Sequence, residues 1–163
     1  MARINITTFD FSTIKFNLGN SNAYGKLMNI NEPLLFQTPT LVIESVVIET
    51  NLNGLEKWYI IVKLRNTKAC KTFNTKIQEL ETYLKKTKRL EINELIGNGQ
   101  TFKLKVPFKN GNPQIKIYDT NDRLFNYYHL KAGMEIKAMV EFSKIWINTI
   151  INYNLTISEI KVI

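Results

Sequence analysis

The chain has 163 residues, of which 44% are hydrophobic and 22% charged, and a formal net charge of +8. That length suits one domain burying roughly 68–70% of its unfolded surface, and the composition excludes a disordered tail. A single cysteine, Cys70, excludes an internal disulfide or a cysteine metal cluster, and no apolar run approaches the ~20 residues that span a bilayer.

The opening Met-Ala-Arg-Ile-Asn-Ile-Thr-Thr has no charged-then-apolar signal segment. The expectation is a soluble protein of a reducing, intracellular space. Its basic excess favours phosphate backbones or acidic surfaces as partners.

In chain order, Phe9, Phe11, Ile14 and Phe16 recur at near-alternate spacing, as in a short strand or a packed N-terminal arm. Leu18 to Asn22 reads as a loop, Tyr24 to Ile30 as a strand, and Asn31-Glu32-Pro33 as a break. The β-branched run Leu35 to Ile48 predicts a strand with Pro39 at an edge or bulge. After a turn at Asn51 to Gly54, Trp58 to Arg65 alternates. Trp58, Ile60, Val62 and Leu64 take one face, and Tyr59, Ile61, Lys63 and Arg65 take the other.

One helix is predicted from about Asn74 to Arg89. Phe73, Ile77, Leu80 and Leu84 form its apolar stripe, and Thr75 with Gln78, Thr72 or Asn74 are candidate caps. Its basic end, Lys85 to Arg89, complements the helix dipole without any ligand.

Thr101 to Tyr128 reads as a two-stranded ribbon turning at Lys109 to Pro113. Phe102, Leu104, Val106, Ile115 and Ile117 form its apolar face, and Lys103, Lys105, Lys116 and Tyr118 the other. Met134 to Ile147 is a long strand whose parity changes at Ser143-Lys144, predicting a bulge. After a loop at Asn148 to Asn152, Tyr153, Leu155 and Ile157 alternate, and a second parity change near Ser158 brings Ile160 and Val162 into phase. Strands, one helix and more strands predict a mainly β protein, an antiparallel barrel or sandwich with one helix.

Catalytic signals are sparse. His129 is the sole histidine, the glycines are scattered, and Cys70 near a helix start has no partner for chemistry. Asp119 with Glu135 and Lys137 is the one arrangement with the residue types of a metal-dependent nuclease. A better-populated set is that for nucleic acid: the cations Lys63, Arg65, Lys103, Lys105 and Lys116 on outward faces, interleaved with Tyr59, Tyr118, Trp146 and Tyr153. Solvated sheet faces produce the same alternation, and Trp146 between Ile145 and Ile147 suits either core or surface.

LLFQTPTL at Leu34 to Leu41, the helix start FNTKIQELE, FKLKVPF with the later IYDTND, and the C-terminal GMEIKAMVEFSKIWINTIINYNLTISEIKVI together resemble a family of large nucleocytoplasmic DNA viruses. The resemblance covers the chain from Leu34 onward. It implies a viral single-stranded DNA-binding protein with an OB-like antiparallel Greek-key barrel, akin to the poxvirus replication protein.

On that layout Tyr24–Ile30, Leu35–Ile48 and Trp58–Arg65 precede the helix, and Met134–Trp146 with Tyr153–Val162 closes the barrel. Residues 1–22 form an arm or extra strand, and residues 101–128 an inserted ribbon, all in one domain. The ligand face then belongs first to Lys63 and Arg65.

Relatives carry a Gly- and Lys-containing turn and a second Trp after the Ile-Trp pair. Here Asn148 to Asn152 and Leu155 or Ile157 stand instead, and the ending Ile160-Lys161-Val162-Ile163 is not an acidic tail. The implied function is non-enzymatic binding in replication or repair, without cofactor, metal or membrane. Its partners would be single-stranded DNA rather than RNA, replication or virion proteins, and copies of itself, in the host cytoplasm, viral factory or virion. The alternative is a minor capsid or assembly protein that uses the β-domain for protein contacts.

Overall fold

The computed structural model describes residues Ala2 to Ile163. The strands before the helix are β1 (Ala2–Arg3), β2 (Phe16–Asn22), β3 (Gly25–Gln37), β4 (Leu41–Thr50) and β5 (Glu56–Leu64). Helix α1 (Lys68–Lys88) follows. Then come β6 (Thr101–Val106), β7 (Phe108–Lys109), β8 (Asn112–Pro113), β9 (Lys116–Tyr118), β10 (Glu135–Ile147), β11 (Ile151–Tyr153) and β12 (Leu155–Val162). The protein is mainly β with one helix. Among the described residues no helix is long and apolar enough to cross a membrane.

Five strands close into a ring. β4, β5 and β6 form an antiparallel meander. β6 runs parallel to β12 through Leu104 and Leu155, β12 pairs antiparallel with β10, and β10 returns to β4 through Ile136 and Leu41. Period-two alternation sorts the faces. Ile60 and Val62, Phe102 and Leu104, Ile136, Ala138, Val140 and Phe142, and Leu155 and Ile157 are all buried.

β10 continues past the ring and pairs with β3 from Met139 to Ile147. β3 in turn carries β2 antiparallel and β1 parallel. The expected single strand Leu35–Ile48 is therefore two strands, separated by Thr38-Pro39-Thr40. Pro39 has no N–H to extend a ladder. Buried Thr38 supplies the missing pairing: its N–H donates to the Ala138 carbonyl at 2.8 Å, and its hydroxyl accepts the Ala138 N–H at 3.0 Å.

Both expected bulges are present. The register of β10 against β3 shifts between Phe142 and Lys144, and that of β12 against β10 passes over Ser158. Asn31-Glu32-Pro33 does not break β3 but lies opposite the first bulge. Leu18 to Asn22 is strand, not loop. β2 is held by backbone pairing to β3 while its side chains are mostly exposed, so no alternation marks it.

The inserted ribbon is a larger correction. Thr101–Val106 is the third strand of the ring, because Phe102, Leu104 and Val106 are fully covered there. What remains of the ribbon is a short hairpin in which Phe108 pairs with Pro113 and Lys109 with Asn112. β9 instead runs beside β12, Ile117 against Ile160. The helix consequently follows the second ring strand.

α1 starts before the expected Asn74, since Thr67 caps it by accepting the Cys70 N–H at 3.2 Å. Phe73, Ile77, Leu80 and Leu84 form the buried stripe as read from the sequence, and Phe73 meets Phe36 and Phe102 with centroids 6.4 and 6.1 Å apart. Cys70 is buried, its thiol 3.4 Å from the Thr40 carbonyl and 3.3 Å from the Arg65 N–H, so it joins the helix to the ends of β4 and β5.

Glu81 is a charged side chain buried on the same helix face. Its Oε2 accepts the Tyr153 hydroxyl at 2.8 Å and the Leu95 N–H at 3.0 Å, fastening α1 to β11 and to the segment after the helix. Burial pushes the Glu81 carboxyl above the usual 4.5, and the hydrogen bonds from Leu95 and Tyr153 oppose that rise.

A carboxyl with a raised folded pKa binds more protons folded than unfolded, so stability falls as pH climbs through that interval. The loss should begin near the usual 4.5 and level off above the raised Glu81 pKa. Urea unfolding across this range should show a decline in the wild type that Glu81→Gln removes. Tyr153→Phe leaves the carboxylate one donor short and should lower stability by about 1–3 kcal/mol.

Candidate nucleic-acid interface

The expected ligand residues do not form one face. Tyr59, expected outward, is buried and closed to a stacking base, and Lys103 Nζ of β6 sits 5.1 Å from its ring centre and pairs with Glu49. Burial raises the Tyr59 hydroxyl pKa, with Glu49 adding to the rise. This trio satisfies its own charges.

Lys63 is exposed at the far end of β5, and Arg65 is 3.5 Å from Glu135. Lys116 and Tyr118 sit on β9, opposite Glu159 and Lys161. Tyr153 is not available for stacking. It is buried edge-on to Phe142 with its hydroxyl on Glu81.

Lys105 and Trp146 do converge. Two adjoining hollows, of about 530 and about 70 Å³, share Lys105, Ser143, Lys144 and Thr156 and so form one groove. Trp146 and Asn152 line one end; Lys57, Trp58 and Phe108 line the other. Trp58 is itself buried, stacked on Phe108 at 5.4 Å and tilted against Tyr127 at 5.7 Å, with its indole N–H on Glu56 at 3.1 Å.

The bulge at Ser143 explains the exposed indole. It turns Lys144 and Trp146 outward while Ile145 stays in the core, leaving Trp146 47% exposed. The indole lies across Gly25, where a Cβ would fall 2.3 Å from Nε1 and 2.9 Å from the Ile147 carbonyl. Only glycine leaves that space open.

Three ammonium groups crowd the groove. Burial, then the charges of Lys144 and Lys57, push the Lys105 pKa below the usual 10.5. Glu56 and Glu141 also line the groove, so its positive charge is concentrated around Lys105 rather than spread along the whole wall. Lys57, Lys144 and Asn152 are absent from the set read off the sequence. The parity change at Ser143-Lys144 is the signal that places Lys144 outward; nothing in the alternation singles out Lys57.

The carboxylates of the nuclease-like set are engaged locally. Asp119 Oδ1 accepts the N–H groups of Asn121 and Arg123 at 2.8 and 3.0 Å, and Glu135 faces Arg65. Among the described residues no group of three His, Cys, Asp or Glu side chains is placed to hold a metal ion. His129 is exposed and stands edge-on to Phe125. No protein-family model matches this chain, and no curated protein or solved structure is significantly similar to it.

Gly25→Ala tests the seat of the indole. In a Trp58→Phe background the variant should shift Trp146 emission to the red as the ring is lifted into solvent. It should also lose about 1–3 kcal/mol of stability, because the added carbon meets both ring and backbone. Unchanged emission would mean that the indole does not rest there in solution.

Proposed function

We propose that this chain binds single-stranded nucleic acid in the groove between Trp146 and Phe108, by lysine contacts to phosphates and stacking on the indole, without covalent chemistry. One observation carries the reading: Lys105 and Lys144 line the groove beside a half-exposed tryptophan, with Lys57 at its other end. Partial burial and the charges of Lys144 and Lys57 disfavour the ionisation of Lys105. A phosphate backbone relieves that repulsion, and an exposed indole face accepts any base.

The strand order of the ring supports an OB-type Greek-key barrel. Numbered along the chain, its strands neighbour one another as 1-2-3-5-4-1, with the third and fifth parallel. The helix comes one connection earlier than the sequence layout had it. The resemblance of Leu34 to Ile163 to viral DNA-binding proteins supports DNA as the ligand and a role in the replication or repair of a large DNA virus.

A second reading, contact with capsid or assembly proteins, draws on the β2–β3 hairpin. Its outer strand pairs only with β3 among the described residues, and Leu18 on that strand and Tyr24 in the turn after it are exposed. A complex with a capsid protein that is insensitive to salt would favour this reading.

Titration with oligo-dT at several salt concentrations tests the first reading. Three neutralised phosphates on a single strand give a log–log slope of about −2. Lys105→Ala with Lys144→Ala should make it shallower by about 1.4, while Lys63→Ala with Arg65→Ala should leave it unchanged. Trp146→Ala should weaken binding by about 1–3 kcal/mol. Quenching should persist in Trp58→Phe and vanish in Trp146→Phe. No binding at low salt overturns the proposal.

A further inference from the structure

At the opposite end of β10 from Trp146, about 30 Å along the strand, a cleft of about 1090 Å³ opens between β1, the Thr38–Thr40 corner, the end of β5 and the start of α1. Arg3, Arg65, Lys68 and Lys137 line it, each from a different segment of the chain, and no Asp or Glu does. Their countercharge is thin. Arg65 has one half-exposed contact with Glu135, and Arg3 donates to the neutral Gln37 at 3.2 Å. Neither Lys68 nor Lys137 has an ion-pair partner among the described residues.

The sheet register adds a conflict. Lys137 of β10 stands directly opposite Lys161 of β12, and like charges so placed destabilise a sheet. Lys161 has an exposed contact with Asp122 at 3.5 Å; Lys137 has none. An anion in the cleft would relieve Lys137 of that repulsion. α1 begins here with no acidic residue in its first turn, so its dipole has the same sign as the four side chains.

We infer that this cleft is a second anion site, which takes a phosphomonoester rather than the diester backbone of a strand. A monoester carries about −1.5 to −2 at neutral pH, against one charge per diester, and so suits a single cleft lined by four cations. The outer surface between the two sites is not a continuous basic track. Glu141 and Glu159 flank Met139 there, across β10 and β12. Beside the cations, Ile4, Ile6 and Pro39 form an apolar wall against which the organic part of the ester can rest. The phosphate can belong to a free nucleotide or to the 5′ end of a strand.

Calorimetry on the full chain at low salt distinguishes these. Thymidine 5′-monophosphate should bind and thymidine should not. Lys68→Ala with Lys137→Ala should weaken the mononucleotide at least about tenfold, while Lys144→Ala with Trp146→Ala should leave it unchanged. Oligo-dT affinity in the groove should survive the Lys68/Lys137 change, which also reports that the variant is folded.

If a 5′-phosphorylated oligo-dT binds more tightly than the 5′-hydroxyl form, and the difference disappears in the Lys68/Lys137 variant, the site holds a strand end. A response to the mononucleotide alone assigns it to a free nucleotide. Equal binding of thymidine 5′-monophosphate and thymidine, or a Lys68/Lys137 variant that binds the mononucleotide as wild type does, overturns the site. Mononucleotide binding without oligo-dT binding would keep the cleft and refute the groove.

Discussion

One edge of β10 is divided between two strands, and the rest of the structure depends on how that division is made. Glu135 and Ile136 pair with β4 and close the ring; Met139 to Ile147 pair with β3 and build the outer layer. Between them Ala138 would face a gap in the ladder, a buried amide without partners. Thr38 prevents this by using its own N–H and hydroxyl on both polar groups of Ala138. A threonine before a proline thus lets the chain leave one sheet neighbour and become another without an orphaned hydrogen bond.

The same strand then decides the chemistry of the surface. After Phe142 it has left the ring, and the bulge at Ser143 re-aims the residues that follow. The register shift sets Ser143 alone against Ile30 to Pro33 of β3, and the later side chains of β10 change face. Here it keeps Ile145 in the core and brings Lys144 and Trp146 to the outside, where β6 already presents Lys105. The groove exists because β6 and the overrunning end of β10 flank the start of β12, where Thr156 lies between them.

Charge is unevenly distributed over this surface. Lys103 is held by Glu49 and Tyr59, and Arg65 by Glu135, while Lys105 feels the charges of Lys144 and Lys57, and Lys137 faces Lys161. Exposed pairs of the first kind contribute little to stability, but they reduce what a cation can offer a ligand. The unrelieved groups mark the places where an incoming anion gains most. Tyr153 illustrates the opposite case: a residue read as a stacking platform is a buried donor to Glu81, because its strand places it inward beside the helix.

The mainly β class, the helix stripe of Phe73, Ile77, Leu80 and Leu84, the inward residues of β5, β6 and β10, and both bulges are legible in the order of residues alone. All of these are local consequences of side-chain period, since a residue's face follows from its neighbours two or four positions away. The tertiary structure alone decided that Thr101–Val106 completes a ring, that Leu18–Asn22 is a strand, and that Lys57, Lys105 and Lys144 share a groove with Trp146. Alternation says that a lysine points outward but not which strand lies beside it. That depends on pairings between segments as far apart as β6 and β12, where burial of both apolar faces chooses the partner and the register.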